Sequence, residues 1–518
     1  MSARNEGHQL PHEQALRAVL DEGRPEQVAK QHARGKLTAR ERIALLTDEG
    51  SFVEIGALAR PEPGPGGKEI PADGIVTGTA LIDGRPAVIT ASDYTAAGGS
   101  NGILGNEKAR RCIEIAATRG IPLVNLFDGG GHRITEGLDA RDFAGGIDIQ
   151  ELGTRLSGWV PVVAAFLGPG YGQPTLSAAL ADYAVAVRGI ATAGMAPPAL
   201  VKAATGADVD EQALFGADAQ ASFGTVDLVV DDEEDALLAL RVYLATLPPN
   251  AEAPLPVERG QKPALEAARR IDDVVPADQR LAYDMHEVIA GLVDEDSQVE
   301  LKSGFARNVI TMIATVDGHP IGIVANQPLV LTGALDAGAA DKAAHLVSLC
   351  DAFGIPVLVL MDQPGLTVGE AAERSGLARS TGRLSLALGT ATVPTFSILV
   401  RKGYGGAYVL LGGGRSYRSD VVIAWPHAET GAMSPDSAID LVFRKDLEAA
   451  EDPVARRVEL LGMFGDRLGA LRGAEGFGFD AVVRPSETRD LLLRALATLP
   501  RRKLMQAVTP RQHPVQPL

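Results

Sequence analysis

The chain has 518 residues, of which 46% are hydrophobic and 22% charged, and it carries a formal net charge of −17. That length is too great for one hydrophobic core and points to two domains, while the acidity excludes the basic footprint of a protein that binds nucleic acid or an anionic membrane. The two cysteines, Cys112 and Cys350, exclude a disulfide framework and a zinc ribbon; both lie in apolar, helix-like runs that predict buried thiols.

The opening MSARNEGHQLPHEQ has no apolar signal core, and no stretch reaches ~18 unbroken apolar residues, so a cytoplasmic protein is expected. In chain order the periodicity predicts a strand at Ala87–Thr90, a helix at Gly105–Thr118, a strand at Leu123–Phe127, a helix at Ala140–Leu156 and a strand at Val162–Leu167. The acidic run DDEED at 231–235 reads as a solvated helix start. The Pro-rich stretch 247–265 reads as an extended linker, separating a domain at 1–250 from one at 251–518. A helix at Gly338–Phe353, a strand at Pro356–Met361, a helix at Leu377–Leu388 and a strand at Thr395–Val400 follow. Strand, Gly-rich turn and helix in repetition predict an α/β crossover fold.

The chain repeats itself. GRPAVITASDYTAAGGS from Gly84 matches GHPIGIVANQPLVLTGA from Gly318, and GIPLVNLFDGGG from Gly120 matches GIPVLVLMDQPG from Gly354, both at an offset of 234 residues. A third pair aligns Tyr171 with Tyr404 at an offset of 233. Two tandem copies of one fold are expected.

Each copy carries two glycine loops. The first kind is Asp128-Gly129-Gly130-Gly131, with Asp362-Gln363-Pro364-Gly365 as its partner. The second is Gly168-Pro169-Gly170-Tyr171-Gly172-Gln173, with Lys402-Gly403-Tyr404-Gly405-Gly406-Ala407 as its partner. Each loop of the second kind precedes a predicted helix, whose first N–H groups form a ready anion site or oxyanion hole. Neither is a nucleotide fingerprint, because Gln173 takes the last position of G-x-G-x-x-G. No H-E-x-x-H or C-x-x-C occurs, and neither a metal site nor a side-chain nucleophile is expected. Chemistry then falls to a cofactor or to the substrate, with the protein orienting it. His132, beside Gly131, reads either as a site residue or as a loop side chain.

Several motifs resemble the carboxyltransferase (β) subunits of biotin-dependent acyl-CoA carboxylases. They are GKLTARERI from Gly35 with GSFVE from Gly50, DGGGHRITEG from Asp128, and Val201-Lys202 with Thr205-Gly206. In the second half they are IGIVANQP from Ile321, CDAFGIP from Cys350 and RKGYGGAY from Arg401. The resemblance runs from about residue 12 to the C-terminus. It implies two crotonase-like domains and a hexamer whose sites form between domains of neighbouring subunits. It also implies carboxyl transfer from carboxybiotin, carried by a partner biotin carboxylase/biotin carrier (α) subunit, to a short acyl-CoA through a thioester enolate. By motif match, the Gly172 and Gln173 N–H groups face the thioester oxygen, and those of Gly406 and Ala407 face the biotin ureido oxygen. Gly130, Gly131, Arg133, Tyr171 and Val409 fall on the acyl-CoA side. Pro364, Gly365, Tyr404 and Gly405 fall on the biotin side.

The chain departs from the family at Gln173-Pro174, where the family has Gly-Ala, and in AGMAPPALVK at 193–202. It departs again at Arg379-Ser380-Thr381 and Met433-Ser434-Pro435. Acetyl- or propionyl-CoA is the expected substrate. Two further readings of the resemblance are a decarboxylase subunit running the transfer in reverse and a non-catalytic scaffold homologue.

Overall fold

The computed structural model describes residues 11–61, 69–138, 140, 144, 149–463 and 465–503. The chain divides into two compact units between Ala253 and Pro254. Each is a mixed sheet with helices.

The strands of the first unit are β1 (Val53–Glu54), β2 (Ile75–Ile82), β3 (Arg85–Ser92), β4 (Leu123–Phe127), β5 (Val162–Phe166), β6 (Pro169–Tyr171), β7 (Tyr183–Val187), β8 (Thr192–Gly194) and β9 (Leu228–Val230). The main sheet runs β1-β2-β3-β4-β5-β7-β9, and β6 pairs with β8 in a separate parallel ribbon. β1 to β3 are antiparallel and the remaining pairs parallel. β4, β5 and β7 are buried at every position, as parallel strands covered on both faces must be.

The second unit has β10 (Val299–Leu301), β11 (Val309–Val316), β12 (His319–Asn326), β13 (Val357–Gln363), β14 (Thr395–Tyr404), β15 (Val421–Ala424), β16 (Glu429–Gly431) and β17 (Ala481–Val482). Its order, β10-β11-β12-β13-β14-β15-β17 with β16 on β14, repeats the first sheet strand for strand. Both long hairpins turn on an Asp-Gly pair at positive φ, Asp83-Gly84 and Asp317-Gly318, the geometry of a tight right-twisted hairpin. In both units the second strand of the hairpin leads to a 17-residue helix, Ile103–Arg119 or Ala337–Phe353, closed by a left-handed glycine, Gly120 or Gly354.

The predicted strands all form, and β14 extends to Tyr404 because Lys402–Tyr404 pair with β16. Of the helix expected at Ala140–Leu156, Ile149–Thr154 is helical, and residues 141–143 and 145–148 lie outside the described residues. The 247–265 stretch has no regular element before Leu265, yet it is fastened to the first unit by Ala251 N–H to the Trp159 carbonyl at 2.9 Å and by Asn250 Nδ2 to the Gly120 carbonyl at 2.8 Å. Both cysteines are buried thiols, and burial pushes Cys112 up to about 11. Among the described residues no helix is long and apolar enough to cross a membrane.

Candidate active site

Each first-kind loop is anchored by a fully buried aspartate at the end of a strand. Asp128, after β4, accepts hydrogen bonds from Arg42 Nη1 at 2.8 Å and Gln31 Nε2 at 3.1 Å, and pairs with Lys36 Nζ. Arg42 continues to Glu233 through Nε at 2.8 Å and Nη2 at 2.7 Å. Burial pulls the Lys36 ammonium down from its ordinary range, against the attraction of Asp128. Glu233 corrects the reading of 231–235 as a solvated run. The helix Glu233–Thr246 does start there, capped by Asp232, but Glu233 is buried because Arg42 needs its carboxylate. In the second unit Asp362, at the end of β13, accepts Arg401 Nε at 3.0 Å and Lys402 N–H at 3.1 Å.

These anchors set the loops against the second-kind turns. Gly129 N–H donates to the Pro169 carbonyl at 2.7 Å, which fixes the DGGG loop beside β6. A side chain on Gly131 (φ +78°) would meet the Tyr171 carbonyl at 2.8 Å, so glycine is required where loop and turn touch. Gly130 faces open space.

The two turns have the same scaffold. Tyr171 and Tyr404 are buried, and their hydroxyls donate to Glu211 at 2.6 Å and to Glu429 at 2.8 Å. Burial, reinforced by these carboxylates, pushes both phenols upward. Gly172 (φ +72°) and Gly405 (φ +64°) follow, and short helices Gln173–Ala178 and Gly405–Leu410 begin there. A threonine clamps each strand end: Thr175 Oγ1 donates to the Gly170 carbonyl at 2.6 Å, and Thr430 Oγ1 to the Gly403 carbonyl at 2.8 Å.

The donor sets differ. Gly172 N–H donates to the Gly194 carbonyl at 2.8 Å, across the β6/β8 ribbon. This corrects the expectation that it faces an oxyanion, since a donor spent on a strand partner has none left for a ligand. At the repeat offset of 233, Pro174 stands where the second unit has Ala407, and proline has no N–H. The first turn therefore offers Gln173 N–H, at the first helical position, where no intrahelical acceptor exists. Gly406 and Ala407 occupy the first turn of their helix, and both carry an N–H.

The other expected site residues lie at four places in the two units. Arg133 has its guanidinium committed to Asp73 Oδ1 at 2.7 Å, to the Ser100 carbonyl at 3.1 Å and to Glu136. Burial opposes its charge, but the carboxylates hold its pKa above the ordinary value. In the Asp362 loop, Gly365 (φ +142°) and half-buried Pro364 follow the buried Gln363, and the Gly365 carbonyl accepts Leu335 N–H at 3.1 Å. Val409 is half-exposed on the helix Gly405–Leu410. His132 lies beside Asn106, with Nδ1 3.1 Å from Asn106 Nδ2. Among the described residues no cluster of side chains could hold a metal ion. Lys36, Arg42 and Arg401 lie inside the family-like motifs, which by themselves assign them no task; the signal that matches them is the aspartate before each glycine loop.

A mixed α/β unit used twice, each with a glycine turn offering backbone N–H groups beside an anchored loop, defines a tandem crotonase-like enzyme. The family model described as the carboxyl transferase domain matches residues 30–515, and the chain belongs to that family. It is 37% identical over 505 residues to the biotin-dependent acetyl-/propionyl-coenzyme A carboxylase beta5 subunit of Mycobacterium leprae, covering 94% of this chain and 91% of that protein. It is 35% identical over 524 residues, the whole of both chains, to the methylmalonyl-CoA decarboxylase subunit alpha of Veillonella parvula. The structure of transcarboxylase 12S, a hexamer seen with methylmalonyl-coenzyme A, superposes with a TM-score of 0.90 at 34% identity and full coverage of both chains.

Proposed function

We propose that this chain is the carboxyltransferase subunit of an acyl-CoA carboxylase that acts on a short acyl-CoA, with the first unit on the acyl-CoA side and the second on the biotin side. The observation that carries this division is the unequal donor set of the two otherwise matching turns. Carboxybiotin, brought by a partner carrier protein, supplies the carboxyl group when bound. The second turn fits the ureido carbonyl of such a group. Gly406 and Ala407 offer two adjacent N–H groups, and the nearest atom to a side chain placed on Gly406 would be Leu366 Cδ1 at 3.9 Å.

In the first unit Gln173 N–H is the turn's donor to the thioester oxygen, with the Gly130-Gly131 backbone alongside. A preorganised donor aimed at developing enolate charge lowers the barrier by ~3–4 kcal/mol. The full-length likeness to a decarboxylase subunit favours, as a second reading, the same transfer run from malonyl-type thioesters back to the carrier. A hexamer like that of transcarboxylase 12S is the proposed assembly.

The test is a coupled assay of the purified chain with biotin carboxylase and carrier protein, ATP and bicarbonate, across acetyl-, propionyl- and butyryl-CoA. Carboxylated product dependent on this chain supports the reading. Product from none of them, with methylmalonyl-CoA decarboxylated instead, replaces it with the reverse reading.

A further inference from the structure

A cavity of about 50 Å³ in the first unit shares its walls with the candidate site, because Gly131, Gln173 and Pro174 all line it. The rest of its lining is mostly apolar, from the sheet and the helix Ile103–Arg119, with a few polar groups. The polar groups are not equivalent. Thr90 Oγ1 donates to Asn125 Oδ1 at 2.7 Å, and Gln173 Nε2 to Ser177 Oγ at 3.0 Å. Asn101, by contrast, is 7% exposed, and its Oδ1 is buried with no hydrogen-bond partner.

The backbone of Asn101 is fixed by the same loop that builds the site. Its N–H donates to the Gly131 carbonyl at 2.9 Å, and its carbonyl accepts Arg133 N–H at 2.7 Å. A buried amide oxygen without a donor is costly, and native proteins rarely leave one so unless something else supplies the proton. One water needs ~10–15 Å³ of such space, so this cavity takes roughly four heavy atoms, the tail of a short acyl chain. An all-hydrocarbon tail would fill it and seal the Asn101 oxygen without a donor, whereas a hydroxyl on the tail would meet it.

We propose that this cavity is an acyl-tail subsite for a short hydroxylated acyl thioester, with Asn101 Oδ1 accepting the hydroxyl hydrogen bond and so acting as the specificity-determining residue. The proposal rests on the carboxyltransferase reading above and narrows its substrate class.

The experiment is isothermal titration of the full chain, without any biotin partner, using 4-hydroxybutyryl-CoA, butyryl-CoA and free coenzyme A. The expected result is about tenfold tighter binding of the hydroxylated ester than of butyryl-CoA. Asn101→Leu, which keeps the branched shape and removes the acceptor, should reverse that preference while leaving free coenzyme A binding within about twofold. Asn101→Ala, the fallback if the leucine variant does not fold, should abolish the preference. Equal affinity of the two esters in the parent, or a hydroxyl preference that survives at both variants, overturns the subsite. Failure of the parent to bind any of the three compounds overturns the carboxyltransferase reading itself.

Discussion

In the first unit Asp128 takes its cations from Lys36 and Arg42, both in a segment that precedes the sheet. In the second unit Asp362 takes Arg401 from the adjacent strand β14. The first anchor is a buried network that runs on to Glu233. The second is shared with backbone carbonyls, since Arg401 Nη1 also reaches the Leu281 carbonyl at 2.8 Å and that of Asp278 at 3.2 Å. The two units differ again at the next strands. Asp182 caps β5 by accepting Val162 N–H at 2.8 Å and lies beside Asp227, while Asp420 caps β14 by accepting Thr395 N–H at 2.8 Å and pairs with Lys503 at 2.9 Å. Duplication preserved the backbone and its turns, and each copy found its own charge partners. Charge networks are therefore where the two copies should respond differently to the same substitution.

The largest difference is expected in stability. Asp128→Ala strands the buried Lys36 and takes from Arg42 one of its two carboxylates, and should cost ~3–5 kcal/mol. Asp362→Ala, whose arginine keeps its carbonyl acceptors, should cost about 2 kcal/mol. Urea denaturation of both variants measures this, and equal losses would break the comparison.

Turnover comes next. Ala407→Pro copies the first unit's proline into the second turn and removes one N–H from the first turn of its helix. It should lower turnover in the coupled assay by about 100- to 1000-fold. Pro174→Ala, the reciprocal change, should alter turnover by less than about tenfold, because that N–H is already absent in the parent.

A smaller contrast concerns pH. Burial, with Asp227 adding to it, raises Asp182 from 3.8 to about 7. Its folded-state pKa is raised, so its contribution is fully present below about pH 4 and is lost as pH rises through about 7. Asp182→Asn should therefore raise the melting temperature at pH 8 by ~2–4 °C and leave it unchanged at pH 4. Asp420→Asn, which removes a lysine's partner, should lower it at pH 8. A fall at pH 8 for both variants would mean that Asp182 is not held in a charge-disfavouring site.

The smallest effect is at the half-exposed Val409. Val409→Asp should shift the acetyl- to propionyl-CoA specificity ratio by about tenfold. An unchanged ratio would leave acyl selection to the first unit's own walls, Gln173 and Asn101.

Much of this architecture is legible in the sequence, for physical reasons. The constant offset exposes the duplication, the β-branched runs mark strands buried on both faces, and glycines that cannot be replaced mark both turns. Charge partners are not legible, because Lys36 and Asp128 lie 92 residues apart and Arg42 and Glu233 lie 191 apart. Neither spacing has a period. The engagement of Gly172 N–H was hidden because its partner strand, Thr192–Gly194, is three residues of Thr-Ala-Gly with no strand signature. The Asn101 oxygen was hidden for a related reason: an asparagine after Gly-Gly-Ser reads as a turn residue, and only the packing of the loop shows its side chain buried.

The division of labour between the turns is tested most directly by ligand binding to Ala407→Pro, measured separately for biotin methyl ester and for propionyl-CoA. The expected result is loss of biotin ester binding, with propionyl-CoA bound as tightly as by the parent. Retained biotin ester binding together with weakened propionyl-CoA binding would contradict it and exchange the roles of the two units.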